Sequence, residues 1–330
     1  MKAIVVENPG KDAVLRLADA EPPALGPEEV RIRVAATAVN RADLMQARGL
    51  YPPPPGASPI LGLECSGEIA EIGPRAGNRF RVGDRVMALL PGGGYAEEAV
   101  VHHGSVMLVP PALDVTTAGG FSEVYLTVSS NVFWLGRFAP GQTALVHGGG
   151  SGVGTAAIQM VREAGGQVIV TAGSEEKCRR CLELGALAAI DYKREDFPQR
   201  VLDLTGGRGV DVILDPIGGA YLEGNLRSLA MGGRLVVIGL TGGARGTLDL
   251  ATLMIKRQQI IGSTLRARPV EEKQTIVEGF EETFGSAVVS GRLRPVVHRV
   301  LPLERAGEAH RMVAASEHFG KVILSVRPQD

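Results

Sequence analysis

The stretch TALVHGGGSGVG, residues 143–154, passes from an apolar run into a cluster of glycines, and TAAIQ follows at residues 155–159. This order predicts a buried strand, a tight turn and an amphipathic helix. Laid over the pattern G-x-G-x-x-G, the glycine positions fall on Gly149, Ser151 and Gly154, so serine takes the middle place. Backbone N–H groups at the start of such a helix, together with the helix dipole, favour a pyrophosphate. The motif therefore predicts a dinucleotide site; the alternative is a glycine-rich turn that only links strand to helix.

Strands and helices alternate around this motif, from about residue 113 onward. The predicted strands are 143–147, 167–172, 188–191, 210–215, 234–238 and 259–263, and the predicted helices between them are 152–164, 175–184, 196–205, 221–229 and 251–257. This alternation is typical of βαβ units and a parallel sheet. Strands that are apolar throughout, such as LVVIG, fit a sheet covered on both faces. The fold class is therefore α/β, with a Rossmann doubly wound parallel sheet.

The first part of the chain, residues 1–118, has a different pattern. Short apolar runs alternate with Pro/Gly clusters, which indicates a small, irregular all-β domain. YPPPPG, residues 51–56, predicts a stiff surface loop because proline fixes φ and removes a donor. After a long helix at about 270–290, strands at 295–301 and 321–326 are expected to return to the first domain. The predicted domains are thus 1–118, 119–294 and 295–330.

Bulk composition excludes several classes of protein. The chain has 330 residues with 35 basic and 36 acidic side chains, a net charge of -1, which gives no field that would gather nucleic acid or an anionic membrane. Three cysteines make no disulfide framework and indicate a reducing compartment. The N-terminal apolar run is too short for a secretory signal, and no stretch approaches a membrane span of about 18 apolar residues. We expect a soluble, cytoplasmic protein.

The end of the second predicted strand bears on the choice of dinucleotide. NAD-selective sites place Asp or Glu there to hold the ribose 2′-hydroxyl. This chain has Gly173 and Ser174 at that point and Lys177 one helical turn later. A hydroxyl and an ammonium suit a 2′-phosphate better, so the sequence favours NADPH. Alternatively, Ser174 only caps a helix, Lys177 is a surface charge, and Glu175 reaches the ribose.

Several segments resemble the quinone oxidoreductases, zinc-independent members of the medium-chain dehydrogenase/reductase superfamily, and among them the p53-inducible group. They are NRADLMQARGLYPPPPGASPILGLE, ALLPGGG, SGVGTAAIQ, VTAGSEEK, LGA with DYKREDF, LDPIGG and FGKVILS, and the resemblance extends over essentially the whole chain. It implies a GroES-like β domain closed by the C-terminal segment and a Rossmann domain between. It also implies a cleft at the domain boundary, NADPH as cofactor, a small-molecule quinone or enone substrate, and homodimers or homotetramers.

The resemblance also implies a set of site residues. Those near the pyrophosphate are Ser151, Gly152, Val153 and Gly154; those around the 2′-phosphate are Gly173, Ser174, Lys177 and Tyr192; those along the adenine-to-nicotinamide edge are Ile217, Leu240 and Leu265; those near nicotinamide and substrate are Asn40, Tyr51 and Thr127. One departure is Tyr125, where the close relatives tend to carry Trp, and it bears on substrate shape.

No metal site is predicted. Zinc-dependent relatives use Cys, a His-Glu pair and a further Cys or Asp, and the aligned positions here are Asn40, Leu63 beside Glu64, and Glu123. Asn and Leu cannot replace thiolate and imidazole as Zn²⁺ ligands. Cys178 and Cys181 lie within a predicted helix, and no second pair accompanies them.

Without a metal or a nucleophilic triad, hydride transfer depends on the cofactor, while the protein orients the reactants and stabilises developing charge. Tyr51 and Asn40 are candidate hydrogen-bond donors to a carbonyl or enolate oxygen, and Ser151 is a candidate donor near the nicotinamide; Tyr51 is equally well a loop anchor. Three functions remain open: quinone reduction, reduction of an enone or enoyl double bond, and a non-catalytic protein that binds cofactor or RNA. The balanced charge counts against RNA.

Overall fold

The computed structural model describes residues 1–327, which form two compact units. The first unit contains Met1–Leu126 and the described part of Leu265–Asp330, and the second contains Thr127–Thr264. The predicted boundaries differ from these units, because the long helix Val270–Val289 belongs to the first unit. There Phe280 packs against Phe121 and Tyr125, with ring centroids 5.8 and 6.3 Å apart.

The first unit is built mainly of strands. They are β1 (Lys2–Glu7), β2 (Val14–Asp19), β3 (Glu29–Ala38), β4 (Glu64–Ile72), β5 (Arg85–Leu89), β6 (Glu98–His102) and β7 (Val106–Leu108), with β14 (Val297–Pro302) and β15 (Lys321–Ser325) from the C-terminal part. Strands β1 and β2 form a hairpin. The others form a sheet of order β14-β15-β3-β4-β5-β7, with β6 also paired to β3. Strand β15 pairs antiparallel with β3, so the C-terminal segment is part of the sheet of the first unit.

Helices of the first unit are α1 (Arg41–Ala47), α2 (Val115–Ala118), α9 (Val270–Val289) and α10 (Ala306–Ala314), and α3 (Ser122–Val128) spans the boundary of the two units. The all-β expectation for residues 1–118 is therefore wrong in detail, since it omits α1. This helix begins after Asn40, whose backbone N–H donates to the Asp43 carboxylate at 2.8 Å. The apolar face of α10 is buried through Ala306, Ala309 and Val313.

The second unit is a doubly wound α/β fold, as predicted. Its strands are β8 (Thr143–His147), β9 (Gln167–Ala172), β10 (Ala188–Asp191), β11 (Val210–Asp215), β12 (Leu229–Val237) and β13 (Gln259–Gly262); its helices are α4 (Gly152–Glu163), α5 (Glu175–Leu184), α6 (Phe197–Leu204), α7 (Leu222–Ser228) and α8 (Leu250–Ile255). All strand pairs are parallel, in the order β10-β9-β8-β11-β12-β13. The winding direction reverses between β8 and β11, and dinucleotides bind at the carboxyl ends of strands at such a switch point.

Buried apolar side chains from this sheet and its helices form the core of the second unit. Leu145, Ile169 and Ile213 from three neighbouring strands pack with Val201 of α6 and Leu226 of α7. The sheet thus holds the carboxyl ends of β8, β9 and β11 on a rigid base. Within residues 1–327 no helix is long and apolar enough to cross a membrane.

Candidate functional site

The glycine loop between β8 and α4 has the geometry of an anion-binding turn. Gly148 has φ of +74°, a conformation that favours glycine. A Cβ on Gly149 would lie 2.7 Å from Val170 Cβ, and one on Gly154 would lie 2.4 Å from the Gly148 carbonyl oxygen. Ser151 caps α4, its Oγ accepting from the Gly154 N–H at 3.0 Å. Close packing, against the Val170 side chain at Gly149 and against the backbone at Gly154, therefore requires glycine at both places.

Helix α4 leaves the N–H groups of its first residues, Gly152 and Val153, without a partner inside the helix. These donors lie at the positive end of a twelve-residue helix that follows the first strand of a doubly wound sheet. The residues therefore fit a dinucleotide pyrophosphate. The cap also gives the Ser151 oxygen a structural role besides the one predicted for its hydroxyl.

The end of β9 brings four predicted residues close together. A Cβ on Gly173 would lie 2.7 Å from the Tyr192 hydroxyl oxygen, so glycine allows this ring to approach the chain. Ser174 caps α5, its Oγ accepting from the Lys177 N–H at 3.3 Å. Burial lowers the pKa of Lys177 from its ordinary value. Glu175, the opposing candidate, has its carboxylate 3.6 Å from the Arg194 guanidinium. Ser174 and Lys177 thus lie at the start of one helix, and the Tyr192 hydroxyl approaches the turn that precedes it.

The loop after β11 supplies the next predicted residue. Asp215 is buried, and its Oδ1 accepts from the N–H of Ile217 at 2.6 Å. Leu240 is 57% exposed, and its Cδ2 would lie 2.9 Å from a Cβ on Gly218. Thr127 is buried in the same unit, its carbonyl oxygen accepting from Asn131 Nδ2 at 2.7 Å.

Asn40, Tyr51 and Leu265 belong to the first unit, and the other predicted site residues belong to the second. Asn40 lies in a buried polar cluster of the first unit. Its Nδ2 donates to Glu64 Oε1 at 2.9 Å, and its Oδ1 accepts from Lys321 Nζ at 2.7 Å. Lys321 Nζ also lies 2.7 Å from Glu64 Oε1, and the Glu64 Oε2 accepts from the Glu123 N–H at 3.0 Å.

This donor set does not suit zinc. An ammonium already neutralises the Glu64 carboxylate, and the Asn40 amide is used within the cluster. Among residues 1–327, no group of three or more His, Cys, Asp and Glu side chains is arranged to hold a metal ion. Cys178 and Cys181 lie in helix α5, as the sequence predicted, and the structure shows that both are buried.

Tyr51 is half-buried and is the first residue of the proline loop at residues 51–56. Arg266 fixes this loop: its Nη1 donates to the Tyr51 carbonyl at 3.2 Å, its Nη2 to Gln46 Oε1 at 2.7 Å and its Nε to the Pro91 carbonyl at 2.7 Å. Burial, reinforced by the nearby Glu123, raises the pKa of the Tyr51 phenol. The phenol therefore keeps its proton at neutral pH and is able to donate it in a hydrogen bond.

Sequence reasoning missed Arg266 and Lys321, and it treated Glu123 only as a failed zinc ligand. Burial, followed by the charge of Glu64, raises the pKa of Glu123 to about 8. The sequence did contain one indication of Lys321, because it is the single charged residue at the start of the otherwise apolar strand KVILS. Arg266 had no such signal, because its partners lie in three segments distant along the chain.

Comparison with known proteins agrees with this architecture. Residues 152–281 match the family described as zinc-binding dehydrogenase, and residues 26–135 match the alcohol dehydrogenase GroES-like domain, which confirms the predicted domain type. The chain is 29% identical over 325 residues to a phenolphthiocerol/phthiocerol polyketide synthase component of Mycobacterium tuberculosis; the match covers 97% of this chain and 14% of that protein.

Full-length relatives are also similar. The quinone oxidoreductase of Rattus norvegicus is 32% identical over 329 residues, covering 98% of this chain and 97% of that protein. The crystal structure of an NAD-dependent alcohol dehydrogenase is 34% identical with a TM-score of 0.84, covering 99% and 100% of the two chains. That of Escherichia coli quinone oxidoreductase complexed with NADPH is 25% identical with a TM-score of 0.85, covering 98% and 99%. The chain therefore belongs to the quinone oxidoreductase family of the medium-chain dehydrogenase/reductase superfamily.

Proposed function

We propose that this oxidoreductase uses NADPH to reduce quinones without a metal ion. The observation that carries the proposal is the pair of cofactor turns in the second unit: a glycine loop at the start of α4, and Ser174 with Lys177 where an NAD site would place a carboxylate. The relative complexed with NADPH supports this cofactor. The quinone oxidoreductase of the rat supports the substrate class.

NADPH, when bound, supplies the hydride. The N–H groups of Gly152 and Val153 would hold its pyrophosphate, and Ser174 and Lys177, together with Tyr192, would hold the 2′-phosphate. Tyr51 donates a hydrogen bond from its Oη to a substrate oxygen as negative charge develops there. Both polar atoms of the Asn40 amide are already hydrogen-bonded to Glu64 and Lys321. We therefore assign Asn40 a role in holding this cluster together rather than one as a direct donor to the substrate. A quinone suits such a site because its reduced form gains aromaticity and needs no strong acid.

The second candidate is reduction of an activated carbon–carbon double bond in an enone or enoyl thioester. The observation that favours it is the match of nearly the whole chain to a segment of a polyketide synthase. Steady-state oxidation of NADPH with a panel of quinones, enones and enoyl thioesters separates the two. Turnover of quinones above the others supports the proposal, and turnover of enoyl thioesters alone would replace it.

Metal should be irrelevant to this activity, because an ammonium occupies the place of a cation beside Glu64. We expect purified protein to contain no stoichiometric zinc by elemental analysis, and chelators to leave NADPH oxidation unchanged. Zinc present at one equivalent, whose removal abolishes turnover, would contradict this prediction.

Replacing Tyr51 by phenylalanine should lower turnover with quinones about tenfold or more while NADPH affinity stays nearly unchanged. The hydrogen bond to substrate forms mainly in the transition state, so its loss affects rate rather than cofactor binding. Steady-state kinetics and fluorescence titration measure the two effects. Tyr192→Phe is the contrasting variant: because the proposal places that hydroxyl near the 2′-phosphate, it should weaken NADPH binding and leave quinone turnover at saturating NADPH unchanged. Unchanged kinetics for Tyr51→Phe would leave this residue as a loop anchor only.

A homodimer or homotetramer is expected, joined partly through the edge strand β13. This strand ends the sheet, and Met254 and Ile255 beside it in the chain are 73% and 67% exposed. An open edge with adjacent apolar side chains favours pairing with a second copy across a twofold axis. Sedimentation should show the oligomer at micromolar concentration, and Ile260→Lys should shift it toward monomer. A stable monomer in the unmodified protein would refute the prediction.

A further inference from the structure

Four buried polar side chains cross the switch point of the second unit's sheet. They are His147 at the end of β8, Thr171 in β9, Asp215 at the end of β11 and Asn225 in α7, none more than 1% exposed. The cofactor contacts proposed above use none of them. Buried polar groups in an apolar sheet destabilise it unless every donor and acceptor is paired.

Asp215 determines the direction of the hydrogen bonds among these groups. Its carboxylate faces three donors: the N–H of Ile217 at 2.6 Å, the N–H of Gly218 at 3.1 Å and Asn225 Nδ2 at 3.0 Å. With its nitrogen toward Asp215, Asn225 turns its Oδ1 toward His147 Nε2, 2.7 Å away. An amide oxygen only accepts, so the proton of the His147 imidazole is on Nε2.

The other imidazole nitrogen continues the chain to the glycine loop. Burial lowers the pKa of His147 to about 4, so the ring is neutral and its Nδ1 accepts. Thr171 Oγ1, 3.0 Å from Nδ1, is therefore the donor, and it accepts in turn from the Gly148 N–H at 3.4 Å. The Thr171 carbonyl accepts from the Gly149 N–H at 2.8 Å.

Two aromatic rings hold the plane of the imidazole. Phe197 and Tyr221 stand at 78° and 76° to it, with centroids 5.0 and 4.8 Å away. The ring consequently has one orientation in which both nitrogens meet their partners. The hydrogen bonds run without a break from the loop after β11 to the loop after β8.

We propose that His147 is a positioning residue for the cofactor. Through its hydrogen bonds with Thr171 and Asn225, His147 holds the glycine loop in a fixed position relative to the loop that follows Asp215. The inference rests on the proposed NADPH binding, because these two loops flank the switch point. Displacing either loop therefore breaks one end of a hydrogen-bonded chain whose other end holds the second loop. Both loops are therefore held in the arrangement that receives a dinucleotide before it binds.

The experiment compares Thr171→Val, which removes the hydroxyl at constant shape, with Thr171→Ser, which retains it. The valine variant should bind NADPH about tenfold more weakly and exchange the Gly148 amide proton faster, because this N–H and His147 Nδ1 lose their partner. The serine variant should bind NADPH within about twofold of the unmodified protein. A valine variant that is less stable but binds NADPH normally has only a structural defect, and it would overturn the proposal.

Nitrogen NMR of labelled imidazoles in the unmodified protein determines the tautomer of His147, and this measurement does not depend on how any variant folds. The His147 signal, assigned by its loss in His147→Gln, should show a neutral ring with the proton on Nε2. A proton on Nδ1 would overturn the proposal. If the unmodified protein binds no NADPH while the tautomer is as expected, the proposed function fails and the hydrogen-bonded chain stands as a structural feature alone.

Discussion

Replacing Lys321 by methionine is expected to lower the free energy of unfolding by about 3–5 kcal/mol, because a buried carboxylate loses its cation. Lys321 is 3% exposed and Glu64 is fully buried, with 2.7 Å between Nζ and Oε1. The ammonium also donates to Asn40 Oδ1 at 2.7 Å and to the Val39 carbonyl at 3.3 Å. Chemical denaturation of the two proteins measures the difference.

Lys2→Met is the matched control, because it removes the same cation from a solvent-exposed pair. Lys2 and Asp19 are 2.8 Å apart with side chains 50% and 83% exposed. Loss of this ion pair should lower the free energy of unfolding by less than about 1 kcal/mol. Adding Glu64→Gln to Lys321→Met should recover part of the lost stability, since the double variant no longer contains the unpaired Glu64 carboxylate. A Lys321→Met protein as stable as Lys2→Met would mean that Glu64 does not depend on this partner.

Local pattern was sufficient to predict the sheet of the second unit. Strands β8 to β11 have the bounds that the sequence predicted, because each is a short apolar run ended by glycine or charged residues. Strand β12 begins at Leu229 rather than at 234, since the sheet continues through Met231 and two glycines that interrupt the apolar pattern. The short helices α1 and α10 were missed because their burial depends on distant partners.

In the candidate site, too, the parts made by sequence neighbours were predicted, and the parts made by residues distant in sequence were not. The glycine loop and the turn after β9 are made by neighbours in sequence, so their chemistry was visible there. Lys321 and Glu64 are 257 residues apart, and Arg266 and the Tyr51 carbonyl are 215 apart. No periodicity or motif indicates such pairings, because a single buried charge is recognised only when its partner is in place.

The second large effect that we expect is on the ratio of the affinities for NADPH and NADH. NADPH should bind at least about tenfold more tightly than NADH, about 1.4 kcal/mol, and Ser174→Asp with Lys177→Ala should erase or invert the ratio. Aspartate caps a helix as well as serine does, so α5 should keep its start while the new carboxylate repels a 2′-phosphate. Removal of the Lys177 ammonium adds to this effect. Fluorescence titration with both dinucleotides measures the ratio.

The opposing alternative is that Glu175 turns to the ribose and selects NADH. In the structure its carboxylate instead faces Arg194 at 3.6 Å, and this exposed pair is weak. Arg208→Ala, which removes a cation beside Asp211 near the amino end of β11, should leave the ratio unchanged and serves as control. Raised salt should weaken NADPH binding more than NADH binding, because the extra phosphate is held by charge. Equal affinities in the unmodified protein would assign the pocket to Glu175 and refute the NADPH preference.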